Sequence, residues 1–458
     1  MNPHIFRAYD VRGIVGPDVN EDVARLLGRG YGTYVRRVLG GASVVVGHDN
    51  RASSPALSAA LVDGLRAVGC AVSFVGLVPT PGLYYAVYHL AATGGVMVTA
   101  SHNPVQYNGF KLCKGHFTLA DAEIAAVRDL VVAGDFASGH DGYAEVDIMP
   151  TYLGAIKAAV RVSRPLKVVV DAGNAVAGAF APQLLRDLGM QVVEMYCDLD
   201  PTFPHHLPDP QMPENVADLR RRVVAERADL GLAYDGDADR VGVVDERGKQ
   251  ISADMLMVLF ARQVLASHPG ATVIFDVKCT QFLADDVRAR GGVPLMWKTG
   301  HSLIKEKMRE VGALLAGEQS GHVFFGDRWP GFDDGIYASC RALEIATATD
   351  RPFSTLLADA PPLVASPEIR VACADERKFA VVDAVRDAFA AHYEVNAIDG
   401  ARVNFGDGWG LIRASNTGPA LTLRFEAQSD GRLRAIERLF RDALAPFPEV
   451  RFDEPAGH

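Results

Sequence analysis

Val96-Met97-Val98-Thr99-Ala100-Ser101-His102-Asn103-Pro104 reads as a buried strand running into a turn. Pro104 ends whatever regular structure Ser101 joins, so a hydroxyl is held at the carboxyl end of a strand. Open α/β sheets place their ligands there. No serine of the chain stands in a G-x-S-x-G setting, so a hydrolase nucleophile elbow is not predicted. Taken alone, the Ser-His pair reads as an ordinary turn-capping serine before a reactive one. The rest of the chain decides between them.

Working outward, Val44-Val45-Val46 is a second short strand, ending at Gly47-His48-Asp49. Ser54-Pro55 opens a helix with Leu57, Leu61, Leu65 and Val68 on one apolar face, and Gly69 closes it. Asn20 caps an earlier helix that carries Glu21 and Asp22 in its first turn, at the positive end of the helix dipole. Alternating strands and helices predict a mostly parallel sheet with helices on its faces. The pattern restarts at Leu166–Asp171, with Gly173 and Gly178 in the following turn, and again at Thr272–Asp276. Each time a strand runs into an Asp-bearing loop and then a helix. The fold class expected is α/β: three similar mixed α/β domains plus a smaller C-terminal α+β domain, with the active site in a central cleft. The boundaries expected are 1–147, 148–251, 252–364 and 365–458. A Pro-rich linker spans Pro361-Pro362 to Pro367, followed by a helix at Lys378–His392, a strand at Leu421–Phe425 and a helix at Gly431–Leu444. The tail Pro446–His458 is expected to be poorly ordered.

Composition narrows the class. At 458 residues the chain is too long for one ordinary core. A net charge of −10 argues against nucleic acid or an anionic membrane as the main partner. Six scattered cysteines without a C-x-x-C pair suit a reduced, cytoplasmic protein and offer no zinc framework. Arg7, Asp10 and Arg12 interrupt the amino terminus before a signal peptide's apolar region can form. No apolar run approaches the ~18 residues of a membrane span. Oligomeric state is left open, and a monomer is compatible with everything above.

Four further motifs carry chemistry. Asp235-Gly236-Asp237-Ala238-Asp239-Arg240 lies between the strand-like runs Leu230–Tyr234 and Val241–Val244. Carboxylates at alternate positions converge on one place and supply hard oxygen ligands for Mg²⁺. An EF-hand is excluded despite Glu246 at the twelfth position, because Arg240 stands where the sharp turn needs glycine and the flanks are strands. Gly317-Glu318-Gln319-Ser320-Gly321-His322 follows another strand, and Glu318 and Ser320, alternating along an extended backbone, suit sugar hydroxyls. Lys298-Thr299-Gly300-His301 supplies a cation and an imidazole after a strand. Arg413-Ala414-Ser415-Asn416-Thr417-Gly418 combines guanidinium, hydroxyls, amide and glycine in a loop able to wrap a phosphate. No Walker loop is present, and Gly28-Arg29-Gly30 lacks the third glycine of a dinucleotide fingerprint.

In this order the motifs resemble the α-D-phosphohexomutase family, on its bacterial phosphomannomutase/phosphoglucomutase branch, from Phe6–Gly13 through Arg413–Glu426. The resemblance implies that Ser101 is a phosphoserine and that Asp235, Asp237 and Asp239 hold Mg²⁺ together with an oxygen of that group. Lys111 and His322 would transfer protons, assisted by Arg12, Arg240 and His301. Glu318 and Ser320 would read the sugar, while Tyr9, Lys278, Arg413, Ser415, Asn416 and Thr417 hold the phosphate that is not reacting. The implied reaction moves a phosphoryl group between C1 and C6 of mannose or glucose phosphates through a hexose 1,6-bisphosphate. Two positions depart from the family pattern. Ala238 replaces a usual glycine, tolerable unless the backbone there needs a positive φ. Gln319 replaces a usual methionine and points toward phosphoglucosamine mutases, whereas Lys298–His301, Asp333-Asp334-Gly335 and the Arg413 loop point toward the mannose/glucose enzymes. A metal-dependent sugar-phosphate phosphatase and a non-catalytic binding protein are the alternatives of other classes.

Overall fold

The structure, a computed structural model, describes residues 2–415 and 418–452. Its first three units repeat one sheet. In the first, the parallel strands Ala71–Leu77, Ser43–His48 and Gly94–Val98 lie side by side in that order. Tyr107–Lys114 then returns antiparallel beside the last. The second unit repeats this with Gln191–Met195, Lys167–Asp171, Leu230–Tyr234 and antiparallel Val241–Asp245. The third uses Val293–Trp297, Thr272–Asp276, Leu315–Gly317 and antiparallel Val323–Phe325. Helices such as Ser54–Arg66 and Gln281–Ala289 make the crossovers between the parallel strands. Self-similarity too faint to read along the chain is thus plain in the topology.

The repetition positions the site. In every unit the third parallel strand hands over to its antiparallel neighbour through a hairpin loop at its carboxyl end. These three loops carry Ser101, the Asp235–Asp239 run, and Glu318 with Ser320. The aspartates noted at the end of each first strand also recur as one device. Asp49, Asp171 and Asp276 each accept the backbone N–H two residues on, at 3.0, 2.9 and 3.3 Å. Such local side-chain bonds pin a turn.

One apolar core runs through the three units, from Val45 and Tyr84 through Val170 and Tyr234 to Phe275 and Tyr337. Strands such as Leu230–Tyr234 and Val241–Asp245 are buried at every position, as covered sheets require. The fourth unit has a separate core under a six-stranded sheet, with the helices Lys378–Ala390 and Asp430–Leu444 against it.

Three local readings need correction. The Pro-rich stretch is not linker throughout, because Val364–Ala365 already pairs with Ala427 and Glu426 of the last sheet. The chain beyond Pro446 is packed as far as Phe452: Phe447, Val450 and Phe452 cover the fourth core, and Arg451 N–H donates to Ala372 O at 3.0 Å. Residues 453–458 of the expected tail lie outside the described residues. The helix opened by Ser54 ends at Arg66, leaving Val68 buried just past it. No helix of the described residues is long and apolar enough to cross a membrane.

Candidate active site

A cleft of about 380 Å³ opens where the four units meet. The first unit lines it with Tyr9, Arg12, Ser101 and Lys111, the second with Arg240, and the third with Lys278, His301, Glu318, Ser320 and His322. The fourth supplies Arg413 and Ser415. Asn416 and Thr417, expected beside them, lie outside the described residues. Residues from both ends of the sequence therefore face one cavity.

Ser101 sits at its floor, 2% exposed, with φ of 50°. A left-handed serine is strained and persists only where its surroundings dictate it. Arg51, which the motifs did not point to, is what dictates it here. Its guanidinium donates to the carbonyls of Ser101 (2.8 Å), Asn103 (2.5 Å), Pro104 (2.9 Å) and Tyr107 (3.0 Å). The visible signal was Asp49, whose carboxylate holds the Arg51 N–H and lies 3.4 Å from Arg51 Nε. The metal loop closes from the other side, and at Gly236 a Cβ would stand 2.1 Å from Ser101 O. Only glycine fits that approach.

Ser101 Oγ donates to Asp235 Oδ2 at 2.7 Å and lies 3.0 Å from His102 Nδ1. Burial, reinforced by Arg240 and Arg12, holds His102 well below the usual histidine range, so the ring is neutral. Asp235, Asp237 and Asp239 offer oxygens within 4.8 Å of one another. They reach this geometry through a turn rather than through extended alternation, since Ala238 N–H closes back on Asp235 O at 3.1 Å. Ala238 does adopt a positive φ, 61°. The methyl is thus held in the conformation that favours glycine, at a cost of about 1–2 kcal/mol.

Lys111 Nζ donates to Asp237 Oδ2 and Asp239 Oδ2, both at 2.6 Å, and Thr80 Oγ donates to Asp237 Oδ2 at 2.6 Å. Burial opposes the charge on Lys111, but Asp237 and Asp239 overcome it and keep the ammonium well above the ordinary lysine range. Burial would likewise raise Asp237, yet Lys111 holds it below the carboxylate range. Asp235 goes the other way, pushed up by burial and by Asp239 and Asp237. Asp237 Oδ1 and Asp239 Oδ1 are buried and have no hydrogen-bond partner among the described residues. Three buried carboxylates with two free oxygens exceed the charge that Lys111 balances. This donor set fits a divalent cation.

Arg240 Nε, which can only donate, gives its proton to His322 Nε2 at 2.9 Å. His322 therefore carries its proton on Nδ1, which faces Asp333 Oδ2 at 2.9 Å. Asp333 in turn accepts from the fully buried Lys305 at 3.0 Å. Asp239, His322 and Asp333 also lie close enough for a cation. This tautomer leaves no lone pair on Nδ1 to bind one. His301 stacks on His322 with centroids 5.4 Å apart and is kept neutral chiefly by burial.

Glu318 and Ser320 do not lie on extended backbone. Glu318 N–H bonds to His322 O at 2.9 Å, making residues 318–322 a tight hairpin turn. The two side chains still meet, Ser320 Oγ donating to Glu318 Oε2 at 2.9 Å, while Glu318 Oε1 accepts from Gly300 N–H at 2.5 Å. Gly300 has φ of 139°, and a Cβ there would meet the Tyr9 ring at 2.7 Å. Gln319 is half-buried in the turn, its N–H directed at Asp276 Oδ1 at 3.3 Å. Across the cleft, Arg413 Nε donates to Asp399 Oδ2 at 3.0 Å, and Asp399 also accepts the Thr299 N–H at 3.0 Å. Lys378 braces the Arg413 loop through Ser415 O (2.6 Å) and Gly418 O (3.2 Å).

Four family models match in the same order. They are described as phosphoglucomutase/phosphomannomutase alpha/beta/alpha domains I, II and III and the C-terminal domain, over residues 3–138, 150–248, 252–364 and 368–443. The chain belongs to the phosphoglucomutase/phosphomannomutase family. Among relatives, phosphomannomutase/phosphoglucomutase of Pseudomonas aeruginosa is 49% identical over 441 residues, covering 96% of this chain and 95% of the relative. Phosphoglucomutase of Neisseria meningitidis is 44% identical over 451 residues, with 97% and 98% covered. A crystal structure of a phosphoglucomutase/phosphomannomutase family protein from Burkholderia thailandensis superposes with a TM-score of 0.93 at 45% identity, covering 99% of this chain and 100% of that one. Family membership thus extends over the whole architecture, the cleft included.

Proposed function

We propose that the chain interconverts the 1- and 6-phosphates of mannose and of glucose by way of a phosphoserine at Ser101. The observation that carries this is the 2.7 Å bond from Ser101 Oγ to Asp235, which puts one hydroxyl inside a triple-carboxylate pocket at the floor of a cation-lined cleft. Phosphoryl transfer depends on positioning and charge neutralisation, and the cleft is rich in both.

Asp235, Asp237 and Asp239 would hold Mg²⁺ beside Ser101, and the bound ion would neutralise charge on the transferring group. Arg12 and Arg240 face the same group. Tyr9, Lys278, Arg413 and Ser415, joined by Asn416 and Thr417, grip the phosphate at the far end of the sugar, and Glu318 and Ser320 read the hydroxyls between. His322 takes the proton of the attacking hydroxyl at Nε2 as Arg240 turns toward the phosphoryl oxygens, with neutral His301 beside it. Lys111, held charged, returns a proton to the serine oxygen. The hexose 1,6-bisphosphate then turns end over end and phosphorylates Ser101 again. Specificity accordingly rests on features shared by the two orientations.

The test is a coupled assay on mannose 1-phosphate, glucose 1-phosphate and glucosamine 1-phosphate with traces of hexose 1,6-bisphosphate. Turnover of the first two, with phosphate conserved and activation by the bisphosphate, is the expected result. Preference for the glucosamine ester would make this a phosphoglucosamine mutase. Stoichiometric release of inorganic phosphate would make it a phosphatase.

A further inference from the structure

The cleft contains a carboxylate that the reaction above does not use. Glu368 lies just after the linker prolines, and its Oε2 accepts from Lys278 Nζ, on the third unit, at 3.0 Å. Lys278, Glu368, Arg370 and Arg413 all line the same cavity. Lys278 foremost, then Arg413 and Arg370, outweigh burial and hold the Glu368 carboxyl down to about 2, so it is an anion at any working pH. The acids on this side of the cleft differ in how they are held. Asp399 is braced by both Arg413 and the Thr299 backbone. Glu368 has one side-chain partner among the described residues, Lys278, and about a third of its side chain is exposed.

We propose that Glu368 is an internal competitor for the substrate's non-reacting phosphate, occupying Lys278 until a phosphate displaces it. The inference rests on the reading of Lys278 and Arg413 as phosphate ligands. A carboxylate and a phosphate seek the same charge-assisted donors, and two anions crowd each other on one ammonium of a confined cleft. Exposure and a single tether leave Glu368 free to swing out, while Lys278, 7% exposed, stays where it is. Each phosphate that binds gains the Lys278 contact only by breaking the existing pair, which lowers net affinity. A reaction whose intermediate must let go, turn and bind again needs a clamp that releases. The same pair links the third and fourth units when no phosphate bridges them.

Titration of the whole enzyme with inorganic phosphate by calorimetry, in phosphate-free buffer, tests this without turnover. Glu368→Gln preserves shape and removes the charge, and should bind phosphate about fivefold more tightly. Glu368→Asp should stay near wild type. Lys278→Met should weaken binding and abolish the effect of Glu368→Gln in the double variant, because the two residues act as one pair. With glucose 1-phosphate, Glu368→Gln should lower KM and kcat together as release slows. Should Glu368→Gln fold poorly, Glu368→Ser at the same part-exposed position carries the same expectation. Unchanged or weaker phosphate binding in the neutral variants overturns the proposal and makes Glu368 a support that orients Lys278. Phosphate binding indifferent to Lys278→Met in both backgrounds overturns it as well. An enzyme that fails to interconvert hexose phosphates yet follows the phosphate pattern refutes the proposed function and leaves this inference standing.

Discussion

One apolar core runs unbroken through the first three units, whereas the C-terminal unit keeps its own and meets the third unit through a very different surface. The apolar part of that contact is small, with Val277 against Trp409 and Leu411. Around it run polar links: Arg402 to the carbonyls of Val277 and Cys279, Gln281 N–H to Glu426, Arg424 to Asp254, and Lys278 to Glu368. A continuous core does not come apart without unfolding, but hydrogen bonds and ion pairs can be exchanged for water or ligand at modest net cost. On the proposed function, the body would fix the reacting groups, and the C-terminal unit would bring its phosphate grip across a junction of exchangeable polar contacts.

Substitutions in the two regions should fail in different ways. The largest effect belongs to the body. Ser101→Ala should reduce turnover by at least ~10³-fold, since it removes the hydroxyl proposed to carry the phosphate, while thermal unfolding changes little. Intact mass should show one phosphate on the active enzyme and none on the variant. A phosphate found on another residue would dismiss Ser101 from its role.

Asp237→Asn comes next, with metal affinity and activity falling together by ~10- to 100-fold and KM for the sugar changing little. Isothermal titration with Mg²⁺ alone reads the first half. Wild type stripped by a chelator should be inactive, and full activity there would falsify the metal assignment.

Arg413→Ala should behave otherwise. Loss of a charge-assisted phosphate contact should raise KM roughly tenfold. It should also depress kcat, because incomplete closure admits water and misaligns the reacting groups. Inorganic phosphate should leak during turnover. Small-angle scattering should find wild type compacting on adding a sugar phosphate and the variant compacting less. Equal compaction of both would mean that Arg413 binds without driving closure.

The smallest effect is a pH dependence confined to the junction. Glu368 titrates near 2 in the folded chain against ~4.3 for an ordinary glutamate. Because its folded value is depressed, the attraction to Lys278 is fully present above about pH 4.3 and is lost as pH falls through 2. The protection of the 363–366 and 368 amides, corrected for the intrinsic pH dependence of exchange, should fall several-fold between pH 5 and pH 3 in wild type, and less in Glu368→Gln. Identical profiles would show that this pair does not tie the two regions together.

What was legible in the sequence follows the same division. Apolar triplets such as Val44-Val45-Val46 and the strands around the acidic loop are local signals, and local signals gave the α/β class and the hairpin loops. The convergence of Ser101, Glu318 and Arg413 on one cleft came from family resemblance, since no local pattern specifies contacts across 200 or 300 residues. Arg51, Lys305, Glu368 and Lys378 were missed for that reason: each acts on a distant backbone carbonyl or side chain and stands in no motif of its own. Period-two alternation misled at Glu318–Ser320, where the bond from Glu318 to His322 closes a turn that also brings alternate side chains together. At Ala238 the residue type concealed the backbone, because alanine does not advertise a positive φ.

The threefold recurrence of the hairpin has a bearing on how such an enzyme changes over time. On the proposed function, attack, metal chemistry and sugar reading would be divided among three loops that hang from equivalent positions of separate sheets. Each loop has its own strands to hold it, so drift at Gln319 leaves the geometry of Ser101 and the aspartates largely in place, whereas His322 is tied to Arg240 of the aspartate loop. A new sugar preference is therefore within reach of a few substitutions around Gln319, without rebuilding the phosphoryl-transfer apparatus. Insertions in the other two hairpins have no such freedom, because Gly236 and Ser101 O already sit at the limit of approach.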